Sequence, residues 1–165
     1  MESLIYTKDN ALSQDLCAEL IEKYKMDAKN KNQVKYRYSN CDKPIIDTLR
    51  NEIEQYIQTC FYRVATDVGD KHILTEHYYI RKIEANSSRH YDPPLLSAKS
   101  NCFSFVFYLN TADRAYHTFF DHIQVPSLAG RLIVFPCEWA FPYRQGCSPT
   151  EDIYVLSGTV FFHRN

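Results

Sequence analysis

The chain has 165 residues, a net charge of −1, and a composition of 45% hydrophobic and 24% charged residues. That is enough to bury one continuous core without disulfide or metal staples, and no composition shift divides residues 1–165, so a single domain is expected. There is no block of basic residues and no apolar run near the roughly 20 residues of a membrane span, so neither nucleic acid nor membrane is an expected partner.

The N-terminal stretch MESLIYTKDN has no charged region followed by an apolar one, so a cytoplasmic chain with reduced thiols is expected. A first helix follows in SQDLCAELIEKYK. Ser13 is its N-cap, Asp15 lies near its positive end, and Leu16, Leu20, Ile21 and Tyr24 share one face. Lys29, Lys31, Lys35 and Arg37 alternate with polar residues and read as a solvated loop. A second helix is expected from about Lys43 to Tyr62, with Asp42 before Pro44 at its start. Ile45, Leu49, Ile53, Tyr56, Ile57 and Cys60 recur at helical spacing along it.

After Gly69 the apolar period changes from near four to two. HILTEHYYIRKIEA, CFSFVFYLN, HTFFDHIQV, RLIVFP and IYVLSGTVFF are rich in β-branched and aromatic residues, and Gly, Pro, Asn, Asp and Ser clusters separate them. Two helices followed by at least five strands with no crossover helices imply antiparallel pairing, hence an α+β sandwich or barrel with the helices packed on a sheet.

Six cysteines (Cys17, Cys41, Cys60, Cys102, Cys137 and Cys147) form no C-x-x-C pair, so they read as thiols packed like small hydrophobes and not as a zinc site. No G-x-S-x-G, P-loop or dinucleotide fingerprint is present. The chemistry-bearing pattern is SRHYDPP, residues 88 to 94. Here His90 and Asp92, one residue apart on an extended segment, project to the same side just before the stiff Pro93–Pro94 pair. His-x-Asp is common by chance. Its place between the strands YYIRKIEA and CFSFVFYLN gives it weight against the alternative of a surface turn.

In this order the segments resemble the prolyl 4-hydroxylase-like branch of the iron(II)/2-oxoglutarate dioxygenases. LSQDLCAELIEKY is similar to that branch's first helix, NCFSFVFYLN to its strand ending in Tyr-Leu-Asn, and AYHTFFDHIQVPSLAGRLIVFP to its Gly-Gly-Glu-Thr-x-Phe and Phe-Pro segments. The resemblance runs from about residue 12 to residue 162. It implies a double-stranded β-helix, an Fe(II) centre in which two His and one carboxylate leave positions open, and 2-oxoglutarate as cosubstrate. It makes His90 and Asp92 metal ligands.

Two family positions are changed. Tyr143, followed by Arg144, aligns where the resemblance calls for the distal His. Ile153 stands where a Lys or Arg would pair with the cosubstrate's far carboxylate. Tyrosine binds iron as a phenolate, and its reference pKa near 10 makes it a reluctant ligand at neutral pH. Replacement cosubstrate contacts are sought at Tyr79, Arg81 and Arg144, with His77 on the same strand parity as Tyr79 and Arg81. His117 and His122, five apart on what reads as one strand, face opposite sides. His117 falls at the acidic position of the Gly-Gly-Glu-Thr motif and is expected to be a partly exposed strand histidine. His72 precedes the metal strand, and His163, ten residues beyond Ile153, lies at the far end of the last strand. Trp139 and Phe141 alternate with Tyr143 and are expected in the core or lining a shallow pocket.

Two readings follow. The first is an oxygenase acting on a small molecule or peptide through Fe(II) and 2-oxoglutarate. The second is a catalytically lapsed descendant serving as a binding module with a protein partner.

Overall fold

The computed structural model describes residues 4–28, 43–60, 73–87, 90–91, 102–137 and 143–162. Asp92, Pro93 and Pro94, His72, His163, Trp139, Phe141, Cys41, Asp42 and the basic cluster at 29–37 lie outside these residues. Of His77, His90, Cys60 and Cys102 only the backbone is described.

Helix α1 spans Gln14–Ala28 and α2 spans Lys43–Cys60. Ser13 caps α1 as its sequence predicts: the Leu16 amide donates to Ser13 Oγ at 3.2 Å. The helical spacing of Ile45, Leu49, Ile53, Tyr56 and Ile57 puts all five in one buried row on α2. Each fully buried Leu or Ile contributes about 1.5–3 kcal/mol, so this row is what holds the helix to the sheet. Tyr56 keeps its hydroxyl satisfied at depth by donating to the Leu4 carbonyl at 2.8 Å.

Among the described residues nine strands occur, in chain order β1 (Tyr6–Lys8), β2 (Ile73–Ile83), β3 (His90–Tyr91), β4 (Cys102–Tyr108), β5 (Tyr116–Phe119), β6 (Ile123–Pro126), β7 (Leu132–Pro136), β8 (Tyr143–Gln145) and β9 (Ile153–Phe162). They form a five-stranded sheet, order β1-β7-β4-β9-β2, and a four-stranded sheet, order β3-β8-β5-β6. Every pairing is antiparallel. The α+β class expected from the sequence is therefore present.

The large sheet is a middle layer. Phe105, Phe107, Leu132, Val134, Leu156 and Val160 pack beneath the helices, against Leu20, Leu49 and Ile53. The alternate residues Val106, Tyr108, Ile133, Phe135, Ile153 and Val155 pack towards the small sheet, against Phe119 and Val125. Burial on both faces explains why β7 reads as the unbroken apolar run LIVFP, with all five residues buried. No helix among the described residues is long and apolar enough to cross a membrane.

One sequence expectation is corrected here. HTFFDHIQV is not a single strand but the β5–β6 hairpin, turning at Phe120 and Asp121 with φ of 50° and 62°. The His122 amide closes the turn on the Phe119 carbonyl at 3.2 Å. Two consecutive left-handed residues make a type I′ turn, whose usual Asn-Gly signature is missing from Phe-Phe-Asp-His. Tertiary contacts impose it instead: Phe120 packs against the inter-sheet core and Asp121 is ion-paired with Arg144. His122 is consequently an exposed turn residue and not a strand residue opposed to His117.

A second turn fixes the approach to the sheet. Gly130 has φ +81°, and its carbonyl accepts from the Ala11 and Leu12 amides at 2.8 and 3.2 Å. A Cβ at this position would stand 2.4 Å from the Leu12 carbonyl oxygen. Both the left-handed backbone and this backbone clash oppose any side chain. Gly130→Ala is expected to lose about 2 kcal/mol or more of stability in urea unfolding, whereas a change at exposed Thr150 moves it by less than about 0.5 kcal/mol.

Candidate functional site

The small sheet brings together residues that are far apart in sequence. β8 lies between β3 and β5, so the Cα partners run His90–Gln145–His117–Val125 in one row and Tyr91–Arg144–Thr118–Gln124 in the next. Tyr143 begins the third row, opposite Phe119. His90 and Tyr143 thus stand in the first and third rows of one sheet, with the Tyr91–Arg144 row between them. Asp92 lies outside the described residues.

His117 is at the centre and is fully buried, which corrects the expectation of a partly exposed strand histidine. β5 crosses beneath the large sheet, and the side chain at 117 enters the layer between the two. Its Nδ1 lies 2.8 Å from the Tyr108 hydroxyl, itself fully buried at the end of β4. Tyr143 stacks on the imidazole with ring centroids 5.5 Å apart and an interplanar angle of 22°. Phe119 stacks at 5.8 Å and Phe135 tilts at 6.1 Å. Tyr143 in turn meets Phe135 edge-on at 4.7 Å. The tyrosine aligned with the family's distal ligand is one wall of an aromatic box around a histidine.

Arg81 and Gln145 form the polar side of the box. Arg81 Nη2 donates to Gln145 Oε1 at 2.9 Å across 64 residues of chain. Because a guanidinium only donates, the Gln145 carbonyl must face it, and the amide nitrogen points elsewhere. The buried polar atoms with no hydrogen-bond partner among the described residues include His117 Nε2 and Gln145 Nε2. They stand on directly paired positions of adjacent strands.

The remaining candidates sort clearly. Arg144 is tied to Asp121 and braces the hairpin. Tyr79 lies in β2, where its alternation with buried Tyr78 and Ile80 places it on the same strand face as Arg81. Ile153 is fully buried in the inter-sheet core, so no cation enters from that position of β9. Among the described residues no group of three His, Cys, Asp or Glu side chains converges. Of the thiols, Cys17 is buried as expected, while Cys137 and Cys147 are partly exposed.

Sequence reading missed Gln145 and the pairing of Tyr108 with His117. Tyr108 lies in the Tyr-Leu-Asn stretch of a strand buried on both faces, where alternation does not show which sheet a side chain meets. Asn110 of the same stretch is structural: its side chain donates to the Asp152 carbonyl at 2.9 Å and accepts from the Tyr154 amide at 2.8 Å.

Burial sets the protonation of this pair. Desolvation, aided by the nearby Arg81 charge, pushes the His117 pKa down to about 3. Desolvation likewise drives the Tyr108 phenol well above its usual value, so both groups are neutral at pH 7.

No family model and no curated protein sequence matches the chain. Solved structures do. The viral collagen prolyl hydroxylase of Paramecium bursaria Chlorella virus-1 superposes with a TM-score of 0.71 at 9% identity, covering 98% of this chain and 90% of that one. A prolyl hydroxylase from Trichoplax adhaerens, solved with a hypoxia-inducible factor oxygen degradation domain peptide, gives 0.61 at 12% identity, covering 97% and 83%. The non-heme alpha-ketoglutarate-dependent epimerase SnoN from nogalamycin biosynthesis gives 0.61 at 13% identity, covering 96% and 76%. The chain therefore has the fold shared by prolyl 4-hydroxylases and other 2-oxoglutarate-dependent enzymes, as its sequence resemblance implied. At these identities the likeness carries the fold alone.

The neutral state of His117 has a measurable consequence. An unfolded histidine titrates near 6.5 and the folded one near 3, so between those values the unfolded chain binds more protons. Stability contributed by this group is present above pH 6.5 and is lost as pH falls below it. From pH 7.5 to pH 5 the loss amounts to about 2 kcal/mol. His117→Phe is expected to flatten this part of the stability–pH curve, read by urea unfolding at each pH, whatever its effect on absolute stability.

Proposed function

We propose that this chain is an Fe(II)/2-oxoglutarate dioxygenase-like protein, with its two sheets forming a double-stranded β-helix and its candidate centre at the β3–β8–β5 end of the small sheet. One observation carries the reading. Two buried nitrogens without partners among the described residues, His117 Nε2 and Gln145 Nε2, stand on paired positions, and Gln145 is hydrogen-bonded to Arg81. Leaving such donors unsatisfied costs about 1–3 kcal/mol each, and a carboxylate satisfies both.

The residues present therefore fit an organic acid. Arg81 would hold it, with Tyr79 alongside on β2, while Arg144 is drawn off by Asp121. Iron would fall to His90, Asp92 and Tyr143. The sheet supports this by placing His90 and Tyr143 two rows apart across the adjacent strands β3 and β8. Bound Fe(II) and 2-oxoglutarate would supply oxygen activation. The chain's own part is to fix the acid, exclude water with Phe119, Phe135 and Tyr143, and hold His117 neutral. A peptide or a small molecule is the proposed substrate. The Trichoplax structure shows a peptide on this fold, and SnoN shows that the fold also serves an epimerase.

A second reading, a lapsed enzyme retained as a binding module, is favoured by Ile153 and by the box around Tyr143. The missing cation cannot simply be restored: Ile153→Lys would bury an ammonium in a fully apolar site, costing several kcal/mol.

Anaerobic titration with Fe(II) and 2-oxoglutarate, followed by admission of air and assay of succinate, separates the two. The first reading expects binding of both and slow succinate formation, increased by Tyr143→His. Binding of the acid without succinate in either protein would leave the module reading.

A further inference from the structure

The Tyr108–His117 contact determines which nitrogen of the imidazole carries the proton. Tyr108 Oη lies 2.8 Å from His117 Nδ1, its side-chain hydrogen-bond partner, and both side chains are fully buried. If Nδ1 donated, the phenol proton and the Nε2 lone pair would both be stranded in a dry layer. If the phenol donates, a single N–H at Nε2 remains to be satisfied. The second arrangement is cheaper by one buried unsatisfied group, so Nε2 carries the proton.

The Gln145 amide is fixed by the same logic. Its carbonyl is taken by Arg81, leaving its NH₂ as a donor at 6% residue exposure. His117 and Gln145 are directly paired across β5 and β8, on one face of the sheet. Neighbouring strands are about 4.8 Å apart, a spacing that two N–H groups can bridge onto the oxygens of one carboxylate. The Arg81 guanidinium supplies the charge.

We propose that His117 Nε2–H, the Gln145 side-chain NH₂ and Arg81 form a carboxylate-binding site for a small organic acid, made from β5, β8 and β2 instead of from a cation on β9. This deepens the reading above by naming the residues that take the acid, and rests on it only for which acid is bound. Tyr108 is a positioning residue: it holds the imidazole in the donating tautomer. The site is selective by construction. Its three groups donate only, so a carboxamide of the same shape presents an NH₂ to one of them and is rejected.

The test is calorimetric titration of the full chain in EDTA with glutarate, 2-oxoglutarate and glutaramide. Glutarate and 2-oxoglutarate are expected to bind without metal and glutaramide not to bind. Gln145→Glu, which keeps an acceptor for Arg81 but replaces the NH₂ with a carboxylate, is expected to weaken both acids at least about tenfold. His117→Phe should do the same, whereas His117→Gln, whose amide donates from a similar place, should recover part of the loss. Tyr108→Phe should weaken binding by several-fold while circular dichroism shows a folded chain.

Equal binding by wild type, Gln145→Glu and His117→Phe would overturn the proposal, as would glutaramide binding as well as glutarate. If 2-oxoglutarate bound only with Fe(II), and equally in the variants, the site would fall while the dioxygenase reading stood. Metal-free binding lost in the variants, with no succinate formed under air, would sustain the site and remove the dioxygenase reading.

Discussion

A histidine excluded from water between two sheets is the constraint around which this end of the molecule is arranged. An imidazolium there would be stripped of water and would face the Arg81 guanidinium, so the ring stays neutral with two nitrogens to satisfy. Tyr108 satisfies one. Phe119, Phe135 and Tyr143 enclose the ring without offering a partner to the other along their stacked faces. A well-packed core rarely leaves a donor in that position without a function.

The rest of the fold serves this arrangement. The helices seal one face of the large sheet, which frees its other face to pair with the small sheet. The Asp9–Arg131 ion pair, with Arg131 Nε and Nη2 donating to the two carboxylate oxygens at 2.6 and 3.0 Å, ties the β1 end to the turn before β7. The strained β5–β6 turn, braced by Asp121 and Arg144, sets the register that brings His117 opposite Gln145. Backbone strain at such a turn persists where surrounding contacts over-determine it, and the aromatic core does so here.

Much of the fold was legible in the residues. The period of Ile45, Leu49, Ile53 and Tyr56 marked α2. Alternation marked the long strands, and IYVLSGTVFF is β9 to the residue. The β5–β6 hairpin was not legible, because Phe-Asp carries no turn signal and only packing forces it into left-handed backbone. The site was half legible. Arg81 was named from strand parity, and Tyr143 and Ile153 from departures in a pattern. Gln145 was invisible, since nothing in YRQG distinguishes an inward glutamine from a solvated one until β8 is seen between β3 and β5. His117 was misjudged for a related reason: burial of a polar strand residue depends on the partner sheet, which local sequence does not encode.

Ile153 offers no cation on β9, and the acid site proposed above uses the donors at 117 and 145 with Arg81 in its place. The tautomer of His117 is the most direct measure of that account. Long-range ¹H–¹⁵N correlation spectra of the histidine-labelled chain should show the proton on Nε2 and a bare Nδ1, persisting to about pH 5. A proton on Nδ1, or an imidazolium already formed near pH 6, would contradict it.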